Sequence, residues 1–152
     1  MGYTNYWYRK PELNEKKFNL FVADVKKIYE KAKKLNIPLA DGWGEEGTEP
    51  IANDEMISFN GVGDNSHETM QISRTQRKLP FESGKEELCF GFCKTARKLY
   101  DVIVTAVLIA FKHYFPHAKI SSDGNNEDFE EGRNICNELF GYGSKFKLRE
   151  ED

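Results

Sequence analysis

Leu88 to Tyr114 reads LCFGFCKTARKLYDVIVTAVLIAFKHY, and this stretch decides the fold. It opens as a strand, Leu88 to Cys93, bounded by a tight junction, Lys94-Thr95-Ala96-Arg97-Lys98. The most apolar helix of the chain follows. Val102, Ile103, Val104, Ala106, Val107, Leu108, Ala110 and Phe111 nearly encircle it, so it is expected to be buried on more than one side. Thr95 is the expected N-cap, and the helix is expected to run to about His113, with Pro116 ending it. On this reading Lys94, Arg97 and Lys98 stand at or just inside a helix N-terminus. The dipole and the free N–H groups favour anions there, so positive potential concentrated at that point marks an anion-binding position. The competing reading leaves both lysines exposed and pairs Arg97 with Asp101, four residues on. Gly91 alone does not make a phosphate-binding glycine loop.

Working outward, Met1 to Lys10 (MGYTNYWYRK) is an aromatic-rich strand. Alternation puts Thr4, Tyr6 and Tyr8 on one face, and Asn5, Trp7 and Arg9 on the other. Pro11 ends it and suits a first helical turn. Glu12 to Leu35 is an amphipathic helix with Phe18, Phe21, Val22, Val25, Ile28, Tyr29, Ala32 and Leu35 inward and a lysine-rich outer face. Ala40 to Asp54 is an acidic, Gly-rich loop. Its Trp43 either closes over a ligand as a lid or tucks onto the core. Glu55 to Gly61 and His67 to Ser73 form a hairpin, and Leu88 to Cys93 is read as the third strand of that meander. Arg74 to Lys85 is a polar exposed loop. Beyond the central helix come a short strand, Ala118 to Ser122, a turn at Asp123-Gly124, and a last helix from Glu127 to Phe140. The order β-α-β-β-β-α-β-α predicts an α+β fold, a two-layer sandwich with a mostly antiparallel sheet and helices on one face. It occupies 1–144 as one domain, with 145–152 a charged, frayed tail.

Composition narrows the function. Twenty-two basic against twenty-five acidic residues give a net charge of −3, which argues against general nucleic-acid binding and leaves room for a small anionic ligand on a local basic patch. The odd cysteine count (Cys89, Cys93, Cys136) and their spacing suit reduced thiols, hence a cytoplasmic location and no zinc ribbon. No signal peptide and no membrane span are expected, because Tyr3 to Lys10 is polar and the longest apolar run, Val102 to Phe111, is short.

Several constellations carry candidate chemistry. Tyr3, Tyr6, Trp7, Tyr8 and Tyr100 offer ring faces, and Arg9 adds a cation, as a nucleotide-sized ligand would require. Asp123, Glu127, Asp128, Glu130 and Glu131 cluster where a strand ends and a helix starts. The dipole explains most of them, and Asp123 is the one left over as a ribose contact or general base. His67 beside Glu68 is a second candidate base. His113 and His117 straddle Pro116 and make no metal pair. Cys93 next to Lys94 is either a thiol of lowered pKa or a buried one.

Gly2-Tyr3-Thr4-Asn5-Tyr6-Trp7, Phe59-Asn60-Gly61, Phe92 to Asp101 (FCKTARKLYD) and Ser121-Ser122-Asp123-Gly124 together resemble a family of bacterial and phage proteins. The resemblance covers most of the chain and implies no activity. Asn5 stands where that family often has His, and Leu99 where it often has Pro; if the His served chemistry, this member binds without turnover. The leading expectation is a small binding protein for an anionic, phosphorylated or nucleotide-like ligand. Its contacts would be Lys94, Thr95, Arg97, Tyr100, Asp101, Tyr6, Trp7, Arg9, Asn60 and Asp123, with no metal and no cofactor. The family's distribution suggests a phage sponge for a host signalling nucleotide. The alternatives are a phosphoesterase or nucleotide hydrolase with Asp123 or His67 as base, and a protein–protein adaptor using the lysine face of the first helix. Self-association into a homo-oligomer is compatible with all three.

Overall fold

The computed structural model describes residues 2–77 and 88–149. Its order is β1 (Thr4–Arg9), α1 (Glu15–Lys34), β2 (Ile51–Ala52), β3 (Met56–Phe59), β4 (Met70–Ser73), β5 (Cys89–Lys94), α2 (Asp101–Tyr114), β6 (Lys119–Ser122) and α3 (Glu130–Phe140). This is the expected α+β fold, with every strand pair antiparallel. The single sheet is corrected to two sheets of three strands, β5-β1-β6 and β2-β3-β4. β5 does not continue the β3–β4 hairpin; it pairs with β1 along its whole length. The physical reason sits at the centre of that pair, where Gly91 faces Trp7. A Cβ on Gly91 would lie 2.3 Å from the indole Nε1, so glycine is what lets the ring lie flat over the neighbouring strand.

The helices form through the patterns the sequence carries. In α1, Asn14 caps the first turn by accepting from Lys17 N at 2.9 Å, so the helix starts three residues after the expected Glu12, and Pro11 lies outside it. Phe18, Phe21, Val22, Val25, Ile28, Tyr29 and Ala32 are buried, whereas Leu35 is 44% exposed because the helix has already ended. Every residue of α2 from Ile103 to Phe111 is buried, Thr105 included. That helix packs between α1 and α3 and also against β6, while α1 packs on β2 and β3. A 3-10 turn, Asn126–Phe129, leads into α3, which therefore starts later than Glu127; Gly141, at φ 76°, ends it. The expected loop from Arg74 to Lys85 lies in large part outside the described residues, as do Met1 and the last three residues of the tail. Among the described residues, no helix is long and apolar enough to cross a membrane.

Candidate functional site

β1 runs antiparallel to both β5 and β6, so the start of β1 and the ends of β5 and β6 meet along one edge of that sheet. Three of the four sequence blocks singled out above converge there. From this edge the chain passes to α2 through two turns in which Ala96 (φ 52°) and Arg97 (φ 59°) are left-handed. Two consecutive non-glycine residues in that region interrupt helix geometry, so α2 begins at Asp101 and not at Thr95. The expected cap and the expected crowd of cations at the helix N-terminus are corrected accordingly. Lys94 closes β5, Arg97 stands in the turn, and the first turn of α2 carries an acid, as the dipole favours.

Asp101 anchors a polar network at this edge. Its Oδ1 accepts from Thr95 Oγ1 at 2.7 Å and from Asn5 Nδ2 at 2.9 Å. Asn5 Oδ1 in turn accepts from Ser122 Oγ at 2.7 Å, and Ser122 Oγ accepts from Gly124 N at 3.0 Å. Burial pushes the Asp101 carboxyl above the ordinary carboxylate range, against the pull of these hydrogen bonds. Arg97 does not pair with Asp101 as expected. It lies over the Tyr3 ring, 4.0 Å from its centroid, and its Nη1 is 3.2 Å from Asp128 Oδ1. The Asn125 backbone N–H, and then Arg97, hold Asp128 below the usual carboxylate range. Between this turn and the start of α3 lies a cleft of about 330 Å³. Arg97 and Lys98 face Asp101, Glu127, Asp128, Glu130 and Glu131 across it, so the cleft is net acidic and repels a free anion.

The opposite, outward face of the same sheet has a different character. Phe90, Phe92 and Lys94 alternate outward along β5, and Tyr6 and Tyr8 do so along β1. Tyr6 lies opposite Phe92, Tyr8 opposite Phe90, and Thr4 opposite Lys94. The rings form a run: Phe90 is 5.7 Å from Phe92, 6.0 Å from Tyr6 and 5.2 Å from Tyr8 between centroids. Phe92 is 48% exposed. Arg149 lies 5.8 Å over the Tyr8 ring. At the margin of this face Asp123 accepts from Tyr6 OH at 2.9 Å and from Thr4 N at 3.0 Å, so both its oxygens already clamp the strand end.

Tyr6, Lys94, Thr95, Arg97, Asp101 and Asp123 are thus brought to one end of one sheet. Trp7, Arg9 and Asn60 are not, and Tyr100 reaches that end only from the core side, its OH 3.4 Å from Lys94 O. Trp7 and Arg9 alternate inward and are 2% and 0% exposed. Arg9 donates to the carbonyls of Ser73, Lys10 and Arg74 at 2.5, 2.8 and 3.0 Å, and burial lowers its pKa to about 10. Tyr100 is buried and donates to Glu68 O at 2.6 Å. Asn60 is buried beside another loop, where its amide donates to Gly42 O and His67 O and accepts from Gly61 N and His67 N. His67 belongs to that loop, and the residue after it, Glu68, hydrogen-bonds to Lys94 at the end of β5. Cys93 is a buried thiol whose pKa burial raises to about 12, the reverse of an activated nucleophile. Among the described residues no group of three or more His, Cys, Asp or Glu could hold a metal. Phe92, the most exposed ring of the face, lies in one of those sequence blocks but is not among the expected ligand contacts. Its signal is the alternation of Phe90, Phe92 and Lys94 with Cys89, Gly91 and Cys93. Comparison with family models, curated proteins and solved structures finds no match.

Proposed function

We propose that the protein binds a small, planar, anionic ligand of the nucleotide kind on the outward face of β5-β1-β6. The observation that carries this reading is the exposed ring of Phe92, in register with Tyr6 and two residues from Lys94 on the same face. A base stacks on such rings whatever its identity, and its phosphate meets Lys94 at the margin next to Phe92. The anion belongs on this face and not in the neighbouring cleft, because the cleft is lined mostly by carboxylates. A host signalling nucleotide captured without turnover fits this chemistry.

Titration calorimetry with a panel of purine and pyrimidine nucleotides tests the reading. Phe92→Ala weakens binding by about 1–3 kcal/mol, the usual range for a lost stacking partner. Lys94→Gln weakens it by about 1 kcal/mol or less, with a smaller salt dependence. Heats indistinguishable from dilution across the panel, or binding unchanged in both variants, contradict it. A second reading, hydrolysis of the same ligand, draws on one observation: the half-buried Asp101 carboxyl bordering the cleft beside Arg97. Chromatography after incubation separates the two. Product that disappears in Asp101→Asn favours hydrolysis, and ligand recovered intact favours binding.

A further inference from the structure

We infer that a second copy of this chain docks on the surface built by residues 33–51, with Trp43 of each copy seated in a cavity of the other. Trp43 is 86% exposed, so it neither tucks onto the core nor lies over a site of its own chain. Its mounting is firm. Its backbone N–H donates to Asp41 Oδ1 at 3.0 Å, Gly42 O accepts from Asn60 Nδ2 at 3.1 Å, and Gly63 N donates to Gly44 O at 2.9 Å. Gly44 has φ 73°, and a Cβ there would meet Ser66 Cβ at 2.7 Å, so the turn that presents the indole depends on glycine. An indole held out into water by a hydrogen-bonded loop is the kind of anchor that interfaces bury at their centre.

The receptor lies a few residues away in the chain. Tyr29, Ile37, Leu39 and Pro50 form the apolar walls of a cavity of about 400 Å³, with Lys33 and Glu49 at its polar side. A cavity of about 150 Å³ accepts benzene, so this one has room for an indole. Leu35 and Ile51, 44% and 40% exposed, are sequence neighbours of its lining residues Asn36 and Pro50. Charge complements shape. Glu45 and Glu46 follow Trp43 on the protruding loop, Lys33 lines the cavity, and Lys34 is its neighbour at the end of α1, all four exposed. Glu49 opposes that match, and Lys33 already has a surface partner in Glu30 at 3.4 Å. Leu39 and Trp43 are four residues apart and so no more than about 14 Å distant. Anchor and receptor therefore share one patch, which satisfies the self-complementarity that a two-fold dimer requires. The patch is built from a different segment than the aromatic sheet face, and the inference does not rest on the ligand proposal.

Sedimentation velocity and intrinsic fluorescence on the full chain across micromolar to millimolar concentration test this. The expected result is a monomer–dimer equilibrium that weakens with salt, with Trp43 emission shifting to the blue as dimer forms. Trp43→Ala raises the dimer dissociation constant by about 30-fold or more, the scale of an interface hot spot. Reversing Glu45 and Glu46 to Lys weakens the dimer, and adding Lys33→Glu and Lys34→Glu to that variant restores it. Trp43 is exposed, so its removal leaves folding intact, and circular dichroism verifies that. A monomer at every concentration overturns the inference, as does a dimer indifferent to Trp43→Ala. Blue-shifted Trp43 emission in the dilute monomer also overturns it, because the ring would then be covered by its own chain.

Discussion

Asp101 is where a single residue can be tested against the account. Its carboxylate is half-buried and hydrogen-bonded to Asn5 and Thr95, and it makes no ion pair with Arg97, which pairs with Asp128 and acts on Asp101 only at longer range. Asp101→Asn keeps an acceptor for Thr95 and removes the partly desolvated charge, so at neutral pH it is expected to change stability little or to raise it. Asp101→Ala leaves Asn5 and Thr95 without their acceptor and is expected to cost about 1–3 kcal/mol by chemical denaturation. The pH dependence has a definite sign. A carboxyl whose folded pKa is raised contributes stability that is full below its ordinary value of 3.8 and is lost as pH rises through the raised value. Asp128 works in the other direction: its contribution is present above the ordinary range and is lost as pH falls through its lowered value. Melting curves on the acid side are therefore expected to lose their decline toward neutral pH in Asp101→Asn and to soften their acid limb in Asp128→Asn. At this scale the sequence showed which residue types would gather, through the blocks at 2–7, 92–101 and 121–124. It did not show that Arg97 would reach Asp128, because nothing local announces left-handed backbone at Ala96 and Arg97.

Among the elements, the helices were legible and the strand partners were not. A period of three and four fixes the buried face of α1 whatever lies opposite, and the encircling apolar residues of α2 state its burial directly. Strand pairing depends on residues far away, so nearness in sequence points β5 to the preceding hairpin, whereas its partner is β1. Gly91 holds the information that was missed: it marks a close approach, and the approaching group is the Trp7 ring. Gly91→Ala is expected to force Trp7 and the two strands apart, with a cost of about 1–3 kcal/mol typical of overpacking. Retained stability together with unchanged Trp7 fluorescence would show that this contact does not set the pairing. The start of α2 matters for function as well. With Asp101 in the first turn, the basic residues before it are released from the helix end. Lys94 instead becomes part of a sheet face.

Across the whole molecule, two small sheets are tied together by polar clasps as well as by the helices. Arg9 at the end of β1 donates to the carbonyls of Ser73 and Arg74 at the end of β4. At the other end of β5, Glu68 N donates to Lys94 O at 3.0 Å and Lys94 N donates to Glu68 Oε1 at 3.2 Å. Tyr100 OH adds a bond to Glu68 O. Arg9 and Tyr100 were expected at the ligand and serve as ties instead, because buried donors must be satisfied and carbonyls at strand ends are what they meet. The inner face of β5-β1-β6 is thereby used up on packing, and the outward face, with Tyr6, Tyr8, Phe92 and Lys94, remains to meet a ligand. The most direct measurement of that claim is a nuclear magnetic resonance titration of the labelled protein with a nucleoside monophosphate. The account predicts saturable shifts in the ring protons of Tyr6, Tyr8 and Phe92 and in the amides of residues 92–94, with residues 126–131 unmoved. Shifts confined to residues 126–131, or none at millimolar ligand, would contradict it.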